Sequence, residues 1–267
     1  MTKLIFLGVG NGGTLSLYNT CFSIQNEKGN FLIDTGGSIE IMNKLTQAGI
    51  DYKSIKNIFI SHSHTDHVLG LIWLLKKIGC LIMFGENLEK INIYSNQDVN
   101  DTIKIILERT LPRKLTDILY QSINFVILND GDKHTINGIE YTFFNICAKS
   151  TTEYGFEFTE KNKKVVFLGD ETVNEKIYSR LENADYVTHE AFCLDSDKDI
   201  FHPYEINKST VKSVSKLMNE KNVKNLILYH TEETHGKNRK KLYIEEGQNN
   251  FNGKIIVPDE LEEIEIK

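Results

Sequence analysis

Residues 60–67 read ISHSHTDH, and no other stretch limits so strongly what this chain can fold into. His62, His64 and His67 fall within six positions of a chain that has 8 histidines in 267 residues. The preceding IKNIFIS is strand-like, while Val68, Leu71, Ile72, Leu75 and Ile78 recur at helical spacing after it. The cluster therefore stands where a strand hands the chain to a helix. Residues two apart in extended chain point the same way, so His62 and His64 can reach one ion. Asp66 and His67, in the next turn, can face a second. Imidazole suits zinc, and a carboxylate adds the charge a divalent cation favours. A polar surface loop with accidental histidines explains that spacing poorly.

The rest of the composition narrows the setting. With 40% hydrophobic residues the chain can bury a sizeable core. No Gly/Ser/Pro-rich linker divides it, so a single domain over residues 1–267 is expected. A net charge of −6 opposes broad nucleic-acid binding. No apolar run has the length of a membrane span, and MTKLIFLG runs straight into a strand pattern. Cys21, Cys80, Cys147 and Cys193 are scattered with no CxxC pair, as reduced thiols in a cytoplasmic protein would be.

Short strands come first: KLIFL, YNTCFSI and NFLID, with a hairpin turn over 27–30. Helices are expected over 39–49, from the histidine loop onward, and over 98–122. After INFVIL, IEYTFFNI, YGFEF and KVVFLGD, helix and strand alternate: 173–182, YVTHE, 207–221, NLILYH, 239–246 and KIIVP. Strand-rich beginnings followed by alternation indicate an α/β layered protein. GVGNGG formally fits a dinucleotide-binding GxGxxG, with Asp34 about 20 residues on. Its glycines lead into strand-like TLSLYNTCFSI rather than a helix, so a loop between two strands is expected.

SHSHTDH after a strand resembles the signature of the metallo-β-lactamase superfamily. FLIDTGG resembles the strand before its metal loop, FLGDE the strand whose aspartate bridges two metals, and LILYHT the strand bearing the last histidine. KLIFLGVGNGG and THEAF resemble the ribonuclease Z-like branch in particular. The resemblance implies a four-layer αβ/βα sandwich and a metal-dependent hydrolase, with phosphodiesters the favoured substrates. It implies two ions, Zn2+ or Mn2+, that share a hydroxide oriented by Asp66. The second metal site would use Asp66, His67 and His230, with Asp170 bridging; the first would use His62 and His64. Asp34 would hold the loop through hydrogen bonds, and His189 and Glu190 would stand behind the ligands. A homodimer is also implied.

Three departures from the family pattern follow. The first site lacks its last histidine: FFNICAKSTTEYGF has none, and its position falls near Cys147 or Lys149. A Cys147 thiolate is a good zinc ligand, a Lys149 ammonium a poor one, and a lost ligand remains the alternative. Where the branch has a histidine before Ser-Thr, NKSTVKSV has Lys208. Lysine keeps the positive charge but is a weaker proton donor, so His202 is a second candidate for that catalytic role. Only YGFEFTEKNKKVVFLGD precedes Asp170, which leaves no room for a tRNA-gripping arm. A small phosphodiester such as a cyclic nucleotide is therefore the expected substrate rather than tRNA. Thioester or carboxylic ester hydrolysis, and ligand binding with little turnover, stay open. GKNRKK, the one dense basic run, is a candidate phosphate contact or a solvated helix face.

Overall fold

The apolar alternation of the first strands becomes a sheet in one of two compact units that share the chain. The structure, a computed structural model, describes residues 2–267. The first unit takes the chain through Gly8, Tyr18–Leu128 and Leu261–Ile266; the second takes Val9–Leu17, Asn129–Glu260 and Lys267.

In the first unit β1 (Lys3–Gly8), β2 (Cys21–Asn26) and β3 (Gly29–Ile33) form an antiparallel meander. After α1 (Ile41–Gln47), β4 (Asn57–Phe59) joins parallel to β3 and leads to α2 (Thr65–Met83). Then come β5 (Ile91–Ser95), α3 (Gln97–Thr110), α4 (Arg113–Ser122) and β6 (Ile123–Ile127), with β5 and β6 extending the parallel part. Period-two alternation sorts the side chains. Leu7, Leu32, Ile58 and Ile93 join Val68, Leu71, Leu75 and Ile78 of α2 in one core. Phe6, Phe22, Phe31, Phe59 and Tyr94 occupy the other face, also buried. The single helix expected over 98–122 is two helices. Leu111 is extended, as the residue before a proline must be, and Pro112 starts the next helix.

The second unit opens with antiparallel β7 (Lys133–Ile136), β8 (Ile139–Asn145), β9 (Tyr154–Glu160) and β10 (Lys163–Phe167). It continues with α5 (Tyr178–Leu181), β11 (Tyr186–Glu190), α6 (Lys198–Phe201), α7 (Val211–Glu220), β12 (Asn225–Tyr229), α8 (Arg239–Gln248) and β13 (Lys254–Ile256). Strands β10 to β13 run parallel. Val166, Val187, Leu226 and Leu228 pack with Val211, Val214 and Met218 of α7 and Tyr243 of α8. The expected helix over 173–182 shrinks to a 3-10 turn, capped by Asn174, and the single turn of α5. Helix α7 starts later than the pattern suggested, because Thr210 and Ser213 form a reciprocal capping box there. A last strand, β14 (Glu263–Glu265), returns to the first unit and pairs antiparallel with β1. The first sheet thus runs β14-β1-β2-β3-β4-β5-β6 and the second β13-β12-β11-β10-β9-β8-β7. GVGNGG begins on the last residue of β1 and continues in the segment before β2, outside any helix. No helix of the described residues is long and apolar enough to cross a membrane.

Candidate metal centre

Parallel strands bring their carboxyl ends to one edge of a sheet, and side chains there can converge on a ligand. In the first unit β3 and β4 deliver Asp34 and the histidine loop in this way. Asp34 takes a left-handed φ of 53°. Its carboxylate accepts the Ser61 N–H and the Ser61 hydroxyl, each at 2.8 Å, and lies 2.8 Å from His67 Nδ1. A proton on Nδ1, given to that carboxylate, leaves Nε2 of His67 with its lone pair outward, the arrangement a metal-ligating imidazole needs. Asp66 Oδ2 is 3.4 Å from His67 Nε2. His62 Nδ1 lies 3.0 Å from Ser61 Oγ, and His62 Nε2 lies 2.9 Å from His64 Nδ1. His62 and His67 are buried, whereas His64, before the first turn of α2, is exposed.

The first turn of α2 is clamped onto the DTGG segment. Thr35 donates its hydroxyl to the His67 carbonyl and accepts the Leu71 N–H, and the Gly70 N–H donates to the Gly36 carbonyl. A Cβ on Gly70 would stand 2.0 Å from the Thr35 carbonyl oxygen. Only glycine permits that approach, so Gly70 sets where Asp66 and His67 sit.

In the second unit the ends of β10, β11 and β12 bring Asp170, His189, Glu190 and His230 to one edge. Asp170 Oδ2 is 3.0 Å from His230 Nε2 and 2.8 Å from Lys208 Nζ. The Asp170 N–H donates to Glu153 Oε1 at 2.7 Å. A Cβ on Gly169 would collide with that same buried carboxylate. Lys208 also donates to the Asp170 carbonyl. Burial opposes its charge, yet the carboxylates of Asp170, Glu190 and Glu153 hold its pKa above the ordinary lysine value. Behind it, burial raises Glu190 to about 7, although its oxygens accept the Ser209 and Phe192 N–H groups. Burial lowers His189 to about 4, and its Nδ1 lies 2.6 Å from the Glu190 carbonyl oxygen.

Two sequence candidates lie apart from these groups. His202 is an exposed left-handed residue after α6, 3.4 Å from the Glu205 carboxylate. Cys147 follows β8 with a φ of 59°, a conformation uncommon for cysteine. Its N–H donates to Asn145 Oδ1, its Sγ lies 3.8 Å from the Asn145 carbonyl, and it belongs to no group of three or more metal donors among the described residues. Glu171 accepts the N–H groups of Lys149 and Ser150 just beyond it. In the basic run Arg239 is buried and bonded to Thr231, Pro258 and Asp259, whereas Lys237 and Lys241 are exposed. Reasoning from sequence missed Glu153 and Gly70, whose roles depend on close approaches that no local pattern announces.

A sequence profile described as "Anti-Pycsar protein Apyc1" matches residues 2–251. The ribonuclease Z of Archaeoglobus fulgidus is 24% identical over 307 residues, covering 96% of this chain and 95% of that protein. The ribonuclease Z of Methanococcus aeolicus is 37% identical over 126 residues, 47% of this chain and only 34% of its own length. Among solved structures, the metallo-β-lactamase fold protein YhfI from Bacillus subtilis superposes with a TM-score of 0.77 at 16% identity, over 98% of each chain. A diphosphatase of the PhnP family gives 0.72 at 16% identity, over 100% of this chain and 98% of that one. The fold is thus that of the metallo-β-lactamases.

Proposed function

We propose that this chain, which belongs to the Anti-Pycsar protein Apyc1 family and is a metal-dependent hydrolase of the ribonuclease Z-like branch, cleaves a small phosphodiester. The observation that carries the reading is the pair of oriented donor sets. His67 donates its Nδ1–H to the carboxylate of buried Asp34, and His230 and Asp170 meet at 3.0 Å. Histidine nitrogens with carboxylate oxygens suit zinc, and also manganese where oxygen donors dominate. His62, His64, Asp66, His67, Asp170 and His230 are the proposed ligands, with Asp170 shared between two ions. Bound there, the ions would activate a water and offset the charge that builds on phosphorus.

The chain's own residues supply the rest. Asp66 orients the attacking oxygen while ligating. Lys208, held by Asp170 and kept charged by the field of Asp170 and Glu190, places a positive charge for a phosphate oxygen. His202, exposed and on a separate turn, has weaker geometric support as a proton donor than Lys208 has as a charge. A small cyclic or linear phosphodiester fits a chain with a net charge of −6 and no arm between β9 and Asp170. Bis-p-nitrophenyl phosphate, cyclic nucleotides, a thioester and a pre-tRNA, assayed together with metal content, test the reading. Turnover of the small phosphodiesters alone is expected; efficient pre-tRNA cleavage at physiological salt, or thioester cleavage only, overturns it.

A second reading, phosphate binding with little turnover, draws on one observation: Lys208 Nζ already occupies Asp170 Oδ2. The same assay separates the two, because binding without turnover leaves all four substrates intact. Cys147 is proposed as the replacement for the missing first-site histidine, supported by its strained conformation at a strand end. That role predicts fewer zinc ions per chain in Cys147→Ser than in wild type after purification without added metal. Equal stoichiometry would make it a half-buried thiol held by Asn145.

A further inference from the structure

Away from the residues proposed above, the second unit gathers another set of donors. Asp197 ends the 3-10 turn Asp195–Asp197, and Glu232 and His235 lie in the turn that follows β12. One donor atom from each lies within 4.8 Å of the others. His235 Nε2 is 2.6 Å from Asp197 Oδ2 and 3.9 Å from Glu232 Oε1.

Glu232 is the telling member. It is 3% exposed; one oxygen accepts from the N–H and hydroxyl of Thr234, while Oε1 has no hydrogen-bond partner. A buried carboxylate oxygen left without a donor costs several times an ordinary hydrogen bond, so its partner is the question the site raises. Among the described residues no lysine or arginine pairs with Glu232 or Asp197. The nearby cations are committed elsewhere, Lys198 and Lys212 to Asp195 and Arg239 to Asp259. The negative field is evident at the adjacent Cys193 thiol. Burial first, and then Asp197, Glu232, Glu190 and Glu246, push it up to about 12. Side chains of His235 and Asp197 are 28% and 16% exposed, which leaves the cluster a route to solvent.

We propose that Asp197, Glu232 and His235 form a further divalent-cation site, of the zinc or manganese class, sharing no residue with the hydrolytic metals. One imidazole and two carboxylates are a donor set for these ions at about 2.0–2.2 Å, with water completing the shell. The ion takes the place of the proton between His235 Nε2 and Asp197 Oδ2, and a neutral imidazole then carries its proton on Nδ1. It also gives Glu232 Oε1 its missing partner. The site ties the turn after His230 to the turn before α6, and its role is to position that segment rather than to react.

Zinc bound per chain, measured after equilibrium dialysis of the full chain against Zn2+ alone, tests this. Wild type should carry one zinc more than His235→Gln, and also one more than Glu232→Gln. The same difference should persist when both proteins also carry His67→Ala, which separates this site from any failure of the hydrolytic one. Circular dichroism of each variant shows whether it is folded, and Asp197→Asn stands in if His235→Gln is not. Equal zinc content in wild type and a folded variant, in both backgrounds, overturns the proposal.

Discussion

The two donor groups solve one problem in opposite ways. In the first unit His62, His64, Asp66 and His67 come from one short loop and the first turn of α2, aimed by hydrogen bonds to the Asp34 carboxylate and by those of Ser61 and Thr35. In the second, Asp170 and His230 come from strands 60 residues apart in sequence, and a buried ion pair with Lys208 holds Asp170. A loop aimed by hydrogen bonds has its geometry before any ion arrives. A carboxylate already paired with an ammonium has to share that oxygen, because Oδ2 faces both Lys208 and His230. The first unit should therefore govern affinity, and the second should balance affinity against turnover.

The most severe way to break this comparison is to delete one ligand from each side. His67→Ala and His230→Ala should each lose about 100-fold or more in turnover and release most of the metal at the second site, since even a partner of a ligand is worth 10–100-fold. Metal analysis and bis-p-nitrophenyl phosphate hydrolysis check it, and wild-type values in either variant would remove that histidine from the site. A gentler probe changes the supports. Asp34→Asn should weaken metal binding by about 10–100-fold, because the amide is a poorer acceptor for both Ser61 and His67. Lys208→Met should do the reverse: metal binds as tightly or tighter once Asp170 Oδ2 is released, while kcat/KM falls by about tenfold for want of the positive charge. If both supports move affinity in the same direction, the contrast between the units is wrong.

The smallest effect is electrostatic. Folding lowers His189 from 6.5 to about 4, so between those values the unfolded chain binds the extra proton. The stability associated with it is complete above pH 6.5 and is lost as the pH falls toward 4. Glu190, raised from 4.5 to about 7, has the opposite sign: the folded state binds the extra proton, and stability falls as pH rises through that window. In the wild type the two largely cancel near pH 5–6.5. His189→Gln should unmask Glu190, gaining ~2 kcal/mol relative to wild type between pH 6.5 and pH 5. Urea unfolding in the presence of a chelator measures it; parallel pH profiles would show that His189 is not buried as a neutral ring.

What the sequence revealed follows the same division. The histidine loop is legible because its spacing is local and the apolar face of α2 follows at once, with Val68, Leu71, Leu75 and Ile78 all buried as periodicity indicates. Asp170 and His230 are isolated residues at strand ends, and only resemblance to a family singles them out. Pro112 was visible, yet the helical pattern on both sides hid the break it imposes. Glu153, Gly70 and Gly169 were beyond reach because each matters through one contact with a distant residue. The Asp197–Glu232–His235 group was missed for a related reason: Asp197 lies 38 residues before His235, with α6, α7 and β12 between them.

The pairing of β14 with β1 has a consequence for how the protein is made. On the ribosome β1 emerges early and finds β2 quickly, but its other side waits for the segment around Glu263. At roughly 5–20 residues per second that wait lasts on the order of ten seconds to a minute. Through it, KLIFLG is an apolar strand with an open edge, the kind of surface on which nascent chains stick together. Its single charged residue is Lys3, which in the finished sheet meets Glu263 at 2.7 Å. Before that partner exists, the lysine is the edge's protection against pairing with a neighbouring chain. Replacing it would harm yield during synthesis more than stability afterwards.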